Sequence, residues 1–383
     1  MTTRKSDGAT STLSPAKAAA NLKHLRAQID RLDLQILKLI NERAGLAADI
    51  GRVKNDHGSE VFSPAREEEV LKNVFEAHEK AKGPLDFETV RAVFRELMSG
   101  SRALQKVLKV AYLGPEYSYS YLAAVERFGQ KVDLIKVGSI AAVFEDVNRG
   151  QVDFGVVPLE NSTDGRVADT LDMFLRLPQI KIVAEIRVRI HHCLMARPDM
   201  EQQEIRRVYS KEQALSQCRT WLSKNLAHAQ QITVSSTTVA ADTAQKEPGA
   251  AAIASRQAAV KYGLRILFEN IEDSPYNETR FAVVSLQKEK SAKSGGDKTA
   301  VMFRVPHQPG SLVEALDVFK QNKINLTWIE SFPAKLAKPE YVFFVDFEGH
   351  VDDPKVSRAL KALQEQCQEV NVLGSFPMAM AAG

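Results

Sequence analysis

An arginine interrupts a helical seam of aliphatic side chains near the N-terminus, and its type and position point to anion binding. The seam recurs every three or four residues, and Arg43 occupies its one position that is not aliphatic. Moving a guanidinium out of water is costly unless it is paired. The partner is either an acidic side chain of the chain itself (Glu42, Asp49 or Glu67) or an anionic ligand. The aliphatic members are Leu22, Leu25, Ile29, Leu32, Ile36, Leu39, Leu46, Ile50 and Val53.

Two further cations share this helix with Arg43. Lys54 follows Arg43 by 11 residues, so at ~100° per residue the two side chains differ by only ~20° around the helix axis and can serve one pocket. Arg26 precedes Arg43 by 17 residues, which places it ~100° away around the helix. Arg26 is therefore expected to point elsewhere, such as into the pocket of a symmetric partner.

The elements that carry these cations form an all-helical segment, expected over residues 16–107. The periodic pattern from about residue 16 to 55 predicts a helix of ~60 Å. A helix of that length is too long for a compact single domain, so it predicts pairing with a second chain, as in a homodimer. A second helix is expected to begin at Ser63-Pro64, and a third is expected over residues 87–108. Residues 1–15 predict a disordered tail.

Residues 108–286 alternate short aliphatic runs with helical patterns. This alternation predicts an α/β fold with parallel sheets and crossover helices. Ligands of open α/β folds bind beyond the carboxyl ends of the strands. Polar turns stand at such positions in residues 112–124, 156–167, 208–218 and 277–285. Neither a dinucleotide-binding fingerprint nor a P-loop occurs, so no nucleotide is expected.

The last part of the chain follows a polar stretch without periodicity. Residues 287–298 are expected to be a linker. Residues 299–377 then show strands and helices in the order βαββαβ, which is typical of an α+β ferredoxin-like domain.

Composition narrows the class of protein. The chain has 383 residues, 44% of them hydrophobic and 26% charged, which is typical of a soluble globular protein. A net charge of +3 is too weak to indicate binding to nucleic acid or to a membrane surface. The sequence shows neither a long apolar run nor a signal-peptide core, so a cytoplasmic location is expected. The three cysteines lack metal-ligand spacing, and their odd, sparse count indicates reduced thiols. The sequence shows no site for a metal or an organic cofactor, so neither is expected.

The helical segment resembles the all-helical chorismate mutases. The resemblance lies in "LRAQIDRLDLQILKLINERAGLAADIGRVK", "SPAREEEVL" and "SGSRALQ". It implies two intertwined chains, with Arg26 crossing to the partner's site. The implied reaction is the pericyclic rearrangement of the dianion chorismate to prephenate, with arginines on the carboxylates, Lys54 and Gln105 donating to the ether oxygen, and Glu67 orienting the substrate hydroxyl. Ser63 stands where some members have Asp, and we expect a modest effect on substrate positioning. The implied site consists of Arg26, Arg43, Lys54, Arg66, Glu67, Ser101 and Gln105.

Residues 108–286 resemble prephenate dehydratase, most specifically in "ENST" and "NETRF". The resemblance implies two α/β lobes around a cleft, as in a type of periplasmic binding protein. It also implies that Thr279 is catalytic, with its hydroxyl assisting the departure of the substrate hydroxyl as carbon dioxide is lost. Because threonine has a very high pKa, we favour a hydrogen bond that tightens as the C–O bond breaks. On local sequence alone, Thr279 could instead bond the backbone where the strand begins. The implied cleft residues are Asn161, Ser162, Thr163, Ser210, Gln217, Thr279, Arg280 and Phe281.

The dehydratase-like segment departs from the family pattern at two places. Tyr117 stands where the family usually has Gly, so a positive φ there would cost ~1 kcal/mol or more. Lys211-Glu212 stand where His-Pro is frequent, so Lys211 could add a cation near the cleft. His191 and His192 fall on a predicted strand and are taken as structural.

The C-terminal segment resembles the ACT domains attached to prephenate dehydratases. The resemblance implies that phenylalanine binds at a domain interface and inhibits the enzyme, through Gly310, Ser311, Leu312, Val313, Glu330 and Ser331. Phe332 replaces the Arg of the Glu-Ser-Arg-Pro motif, which removes a charge and five donors and predicts weakened or altered control. The alternative is a domain that serves only dimerisation.

Together the three segments predict a bifunctional enzyme of phenylalanine biosynthesis, a chorismate mutase joined to a prephenate dehydratase with an ACT regulatory domain. Two alternatives stay open. In one, the two-lobed segment has lost catalysis and the protein senses amino acids. In the other, the dehydratase prefers arogenate, whose amino group would need an acidic partner.

Overall fold

The computed structural model describes residues 15–57, 61–286, 291–335 and 339–379. The chain divides into two units, residues 1–59 and 60–383. The first unit contains one long helix, α1 (Pro15–Asp56), so the predicted long helix is confirmed. Every aliphatic residue of its seam is more than half exposed. The predicted disordered tail lies outside the described residues, except for Pro15, which begins α1.

The second unit starts with two helices, α2 (Pro64–Ala81) and α3 (Phe87–Ala103). Pro64 begins α2 as predicted. The side chain of Asp86 caps α3 by accepting from Thr89 N at 2.6 Å. The expected extension of α3 to residue 108 is wrong. The carbonyl of Arg102 accepts from the backbone of both Gln105 and Lys106, which closes a turn after Ala103 and leads the chain into its first strand.

Two α/β lobes follow. The strands of the first lobe are β1 (Lys109–Leu113), β2 (Asp133–Val137), β3 (Phe154–Asn161), β4 (Gly165–Arg166), β5 (Lys181–Arg189) and β11 (Glu278–Ser285). Those of the second lobe are β6 (Cys193–Ala196), β7 (Arg207–Ser210), β8 (Gln230–Thr233), β9 (Ala250–Ala254) and β10 (Arg265–Phe268). The strand orders are β2-β1-β3-β11-β5, with β4 beside β3, and β10-β6-β9-β7-β8. The chain crosses between the lobes after β5 and again before β11, so the predicted two-lobed fold is confirmed.

Helices connect these strands, and the sheets are only partly parallel. The helices are α4 (Tyr119–Phe128), α5 (Ile140–Asn148), α6 (Ala168–Arg176), α7 (Glu212–Gln217), α8 (Arg219–Asn225), α9 (Thr237–Lys246) and α10 (Arg256–Tyr262). The parallel arrangement expected from the sequence holds for β1, β2 and β3 and for β7, β8 and β9. It is wrong for β11 and β6, which run antiparallel to their neighbours because they lie where the chain crosses between lobes.

The C-terminal part has the expected ferredoxin-like order. Its elements are β12 (Asp297–Arg304), α11 (Ser311–Gln321), β13 (Leu326–Lys335), β14 (Pro339–Glu348), α12 (Pro354–Gln366) and β15 (Glu369–Pro377), with strand order β13-β14-β12-β15. One sheet face packs on its two helices, and the other packs on the first lobe. Of the predicted linker, residues 287–290 lie outside the described residues, and β12 already begins at Asp297. No helix in the described part of the chain has the length and apolarity that crossing a bilayer requires.

Candidate active sites

The ends of two neighbouring strands bring the central polar pair together. Asn161 ends β3, Thr279 is the second residue of β11, and the two are cross-strand partners. Asn161 Nδ2 donates to Thr279 Oγ1 at 2.8 Å. Because this bond uses a lone pair of the hydroxyl, the Thr279 proton remains available for another acceptor.

Asn161 also orders the turn between β3 and β4. Its Oδ1 accepts from Thr163 N at 3.0 Å, from Thr163 Oγ1 at 2.6 Å and from Asp164 N at 3.1 Å. Ser162 Oγ accepts from Glu278 N at 2.9 Å. These bonds fasten the turn to the first residues of β11, so one amide side chain organises both strands.

Gln217, the last residue of α7, reaches this turn from the second lobe. Its Nε2 donates to Thr163 Oγ1 at 2.8 Å and to Asp164 Oδ2 at 2.9 Å. Its Oε1 accepts from Asn277 Nδ2 at 2.8 Å. The two lobes are thus joined by one polar network, which we name the interlobe cluster: Asn161, Thr163, Asp164, His192, Gln217, Asn277 and Thr279.

His192 and its neighbour Tyr119 were missed by the sequence reasoning. The expectation that His192 lies on a strand is wrong, because it lies in the crossover between β5 and β6. Its Nε2 is 2.9 Å from Gln217 Oε1, and its Nδ1 is 3.2 Å from Tyr119 OH. Burial lowers the pKa of His192 and the hydrogen bond with Gln217 only partly offsets this, so the imidazole is neutral near pH 7. Asn277 was also missed, although it stands in the quoted "NETRF" motif.

Four predicted cleft residues are not members of the interlobe cluster. Ser162 lies in the adjoining turn, where its Oγ bonds the backbone. Ser210 is fully buried, and its Oγ donates to Ile253 O at 2.7 Å. Phe281 packs in the hydrophobic core of the first lobe. Arg280 lies on the opposite face of β11 from Thr279, because successive strand residues alternate between faces.

Three residues of the predicted chorismate site lie on α1. Arg26 is exposed, and Arg43 and Lys54 are half-buried. The acidic residues considered as partners of Arg43 each engage another cation: Glu42 with Lys38 at 3.8 Å, Asp49 with Arg52, and Glu67 with Arg102 and Arg127.

The other predicted residues lie on α2, on α3 and just after it. Arg66 Nη1 donates to Glu69 Oε2 at 2.7 Å on the surface. Ser101 Oγ donates to Leu97 O at 2.7 Å. Gln105 lies beyond the end of α3, and its Oε1 is buried without a hydrogen-bond partner among the described residues. A buried orphan acceptor indicates a polar position that a further group can fill.

Two arginines hold the carboxylate of Glu67. Arg102 donates to its Oε1, and Arg127 Nη1 lies 3.1 Å from its Oε2. Arg102 is buried, with its guanidinium 5.4 Å from the centre of the Phe62 ring. A carboxylate offers about four acceptor positions, so both arginines leave room for a substrate hydroxyl.

The predicted effector residues occupy two places in the C-terminal sheet domain. Gly310 precedes α11 with φ +92°, which suits glycine, and Ser311 begins that helix. Leu312 packs against the core, whereas Val313 is 70% exposed.

The second group of effector residues lies on β13, at the edge of the sheet. Glu330 forms an ion pair with Arg166 of β4. Ser331 is exposed. Phe332 is buried in the core shared with the first lobe, where its ring meets Phe344 edge-on at 6.3 Å.

Comparisons with known proteins agree with this arrangement. Residues 25–106 match chorismate mutase type II, residues 110–289 match prephenate dehydratase, and residues 299–365 match the ACT domain. The bifunctional chorismate mutase/prephenate dehydratase of Aquifex aeolicus is 43% identical over 361 residues, covering 94% of this chain and 98% of the relative. The chain belongs to the bifunctional chorismate mutase/prephenate dehydratase family.

Two solved structures are similar to most of this chain. The prephenate dehydratase of Arthrobacter aurescens in complex with L-Phe is 32% identical with a TM-score of 0.67, covering 72% of this chain and 92% of that chain. The quorum-quenching acylase GqqA is 28% identical with a TM-score of 0.64, covering 71% of this chain and 98% of that chain. Because two differently named activities share this fold, the reaction must be argued from the site.

Tyr117, which stands where the resemblance predicts glycine, lies in the turn just before α4. Its φ is +64°, in the left-handed region, so the backbone at Tyr117 is strained, as expected for a residue other than glycine at positive φ. Its ring packs on Tyr121 at 5.1 Å, and Lys261 Nζ lies 5.4 Å from its centre, so two contacts offset the strain. Lys211 precedes α7, is exposed, and Glu212 begins the helix.

Proposed function

We propose that the chain converts chorismate to prephenate and then prephenate to phenylpyruvate, in phenylalanine biosynthesis. The mutase occupies residues 16–107, the dehydratase residues 108–286, and the ACT domain residues 299–377. The observation that carries the proposal is the interlobe cluster, in which Asn161 holds the hydroxyl of Thr279 and leaves its proton available. Neither step requires a metal or an organic cofactor.

In the dehydratase step, the side chains of the cluster position and polarise prephenate. As the C–C bond to the carboxylate breaks, its electron pair enters the ring and the C–O bond to the ring hydroxyl breaks. Thr279 donates a hydrogen bond that strengthens as negative charge develops on the departing oxygen. Carbon dioxide and hydroxide leave, the hydroxide takes a proton from solvent to become water, and the aromatic ring of phenylpyruvate forms. The other polar groups of the interlobe cluster are the amides of Gln217 and Asn277, the hydroxyl of Thr163, the carboxylate of Asp164 and the imidazole of His192.

In the mutase step, cationic side chains bind the dianion chorismate. We assign Arg26, Arg43 and Arg66 to the carboxylates of chorismate. Lys54 and Gln105 donate to its ether oxygen, Glu67 orients its hydroxyl, and Ser101 adds a further polar contact. The exposed aliphatic seam of α1 supports a homodimer, because an apolar face of this length needs a covering partner. In that dimer Arg26 serves the partner's site.

Phenylalanine is the proposed effector. The structural relative from Arthrobacter aurescens contains L-Phe. We place the ligand at the start of α11 and the exposed part of β13, around Gly310, Ser311 and Ser331. Phe332 has none of the donors that an arginine would offer at this position. Inhibition by phenylalanine is therefore weakened or altered. The cytoplasm is the proposed location.

One set of assays tests this function. Purified protein receives chorismate, prephenate or arogenate in separate reactions, and phenylpyruvate and phenylalanine are quantified. Phenylpyruvate from both chorismate and prephenate is expected. Accumulation of prephenate alone would instead support a sensor that has lost dehydratase activity, and phenylalanine formed from arogenate at a higher kcat/KM would move the substrate to arogenate.

A further inference from the structure

Directly behind the Asn161–Thr279 pair, the same two strands carry a second pair on their opposite face. Arg280 is the cross-strand partner of Glu160, just as Thr279 is the partner of Asn161. Arg280 Nη1 lies 3.8 Å from Glu160 Oε2. Because neighbouring residues share a backbone and alternate between faces, whatever holds Arg280 also holds the backbone of Thr279.

The other partners of Arg280 come from both the first lobe and the C-terminal domain. Arg280 Nη2 donates to Asp346 of β14, and its Nε donates to Glu185 Oε2 of β5 at 2.9 Å. Lys298 of β12 donates to the same Glu185 oxygen at 3.1 Å. The ring of Trp328 lies 5.4 Å from the guanidinium of Arg280. We name Glu185, Arg280, Lys298 and Asp346 the rear ion cluster.

The rear ion cluster is buried, and its positive and negative charges are equal in number. Its four side chains are 2–6% exposed, with two positive and two negative charges. Burial by itself lowers the pKa of Arg280, but Asp346 and Glu185 more than offset this, so the guanidinium stays charged. Removing one member leaves a buried charge uncompensated, so the cluster strongly favours a single alignment of its strands.

Close contacts anchor the C-terminal sheet on β5, the strand that pairs with β11. A Cβ at Gly374 of β15 would lie only 2.0 Å from the carbonyl oxygen of Ile182 in β5, so only glycine permits this approach. Lys181 Nζ donates to Val372 O at 2.7 Å. The sheet that supplies Asp346 is therefore a close-packed support for β5 and β11.

We propose that Arg280 is a positioning residue for Thr279, and that Asp346 of the C-terminal domain completes this support. The inference rests on the proposed dehydratase function. Arg280 acts through β11 rather than by touching prephenate, so the C-terminal domain takes part in dehydratase geometry even without an effector. A small displacement of a catalytic group is enough to slow a reaction strongly.

Kinetics of the full chain distinguish positioning from substrate binding. Asp346→Asn is expected to lower the dehydratase kcat about tenfold, with KM for prephenate changed by less than about twofold. Mutase activity is expected to stay at the wild-type value. Asp353→Asn, which removes an ion pair with Lys293 in the same domain, is the matched control and should leave both activities unchanged. An unchanged kcat in Asp346→Asn, or a loss confined to KM, would overturn the proposal.

Hydrogen exchange tests the positioning role of Arg280 and Asp346 independently of the proposed dehydratase activity. Hydrogen exchange of the peptide spanning residues 277–285 is expected to be faster in Asp346→Asn than in the wild type and in Asp353→Asn. This comparison remains decisive even if the wild type does not consume prephenate, and equal exchange rates contradict the proposal. Should Asp346→Asn not fold, Arg280→Met combined with Asp346→Leu leaves Glu185 paired with Lys298, and only the partly exposed Glu160 loses its partner. That variant should show the same kcat loss, and a wild-type rate would exclude positioning.

Discussion

Asn161 and Thr279 meet at the paired ends of β3 and β11, where the amide of Asn161 donates to the hydroxyl of Thr279 at 2.8 Å. The amide oxygen of Asn161 meanwhile accepts three bonds from the turn that follows β3. One side chain therefore sets both the turn that meets the second lobe and the direction of the Thr279 proton. The two functions use different atoms, so substitutions can separate them.

Thr279→Val should abolish the dehydratase step and spare the mutase. Valine keeps the shape and the strand preference of threonine but has no proton to donate, so kcat for prephenate is expected to fall about a hundredfold or more. Asn161 Nδ2 keeps two other acceptors, Asn277 Oδ1 and Glu278 O, so stability should change by only about 1 kcal/mol. Phenylpyruvate formation and chorismate consumption are the measurements. Thr279→Ser, which retains the hydroxyl, is the control, and a valine variant at the wild-type rate would remove Thr279 from the mechanism.

Asn161→Asp should damage catalysis while preserving the turn. The new carboxylate still accepts from Thr163 and Asp164, but it no longer donates to Thr279 and instead takes the Thr279 proton as its own hydrogen bond. We expect a loss in kcat of about a hundredfold. The melting temperature should also fall modestly, because the new oxygen faces Asn277 Oδ1 and Glu278 O, the acceptors to which Asn161 Nδ2 donates. Asn148→Asp, at the last residue of α5, is the matched control, because the new carboxylate can still accept from Gln179 as Asn148 Oδ1 does. A large fall in melting temperature with intact kcat would show that Asn161 serves folding alone.

The sequence predicted most of the helices and strands and the pair of Asn161 and Thr279. It did not predict which residues lie on each face of β11. The motif "NETRF" suggested that Thr279, Arg280 and Phe281 share a cleft. In the structure Thr279 faces the interlobe cluster, whereas Arg280 faces the C-terminal sheet, which a motif cannot show because the domain that supplies Asp346 lies far along the chain. His192 was missed for a similar reason, since its partners Gln217 and Tyr119 come from different lobes. The residues on α1 stay predictions that assays must test.

At position 117, a glycine substitution should leave the protein more stable than an alanine substitution. Both substitutions remove the ring contacts with Tyr121 and Lys261, but only glycine adopts the φ of +64° without strain. Tyr117→Gly is therefore expected to be more stable than Tyr117→Ala by about 1 kcal/mol, measured by urea denaturation. This reverses the usual order of these two residues. Equal stabilities would mean that the turn relaxes when the ring is removed.

Phe332→Arg should not restore stronger phenylalanine control, although it recreates the family motif. Phe332 is 7% exposed and packs in the core between the C-terminal sheet and the first lobe. An arginine there would bury a charge with no prepared partner, at a cost of roughly several kcal/mol. A lowered melting temperature is expected, with Phe332→Leu as the control that keeps the core apolar. Wild-type stability together with tighter phenylalanine inhibition would show that this position can turn toward the effector.

The buried imidazole of His192 should make stability depend on pH. Burial lowers its pKa in the folded state, so between that value and the unfolded value of about 6.5 the unfolded chain binds more protons. This contribution to stability is complete above the unfolded pKa and is lost as the pH falls toward the folded pKa. His192→Gln removes the titrating group, so its urea midpoint should fall less than that of the wild type between about pH 7.5 and about pH 5.5. The matched control, His24→Gln, changes an exposed histidine of α1 and should keep the wild-type dependence. If His192→Gln follows the wild-type curve instead, burial does not hold the imidazole of His192 neutral in the folded state.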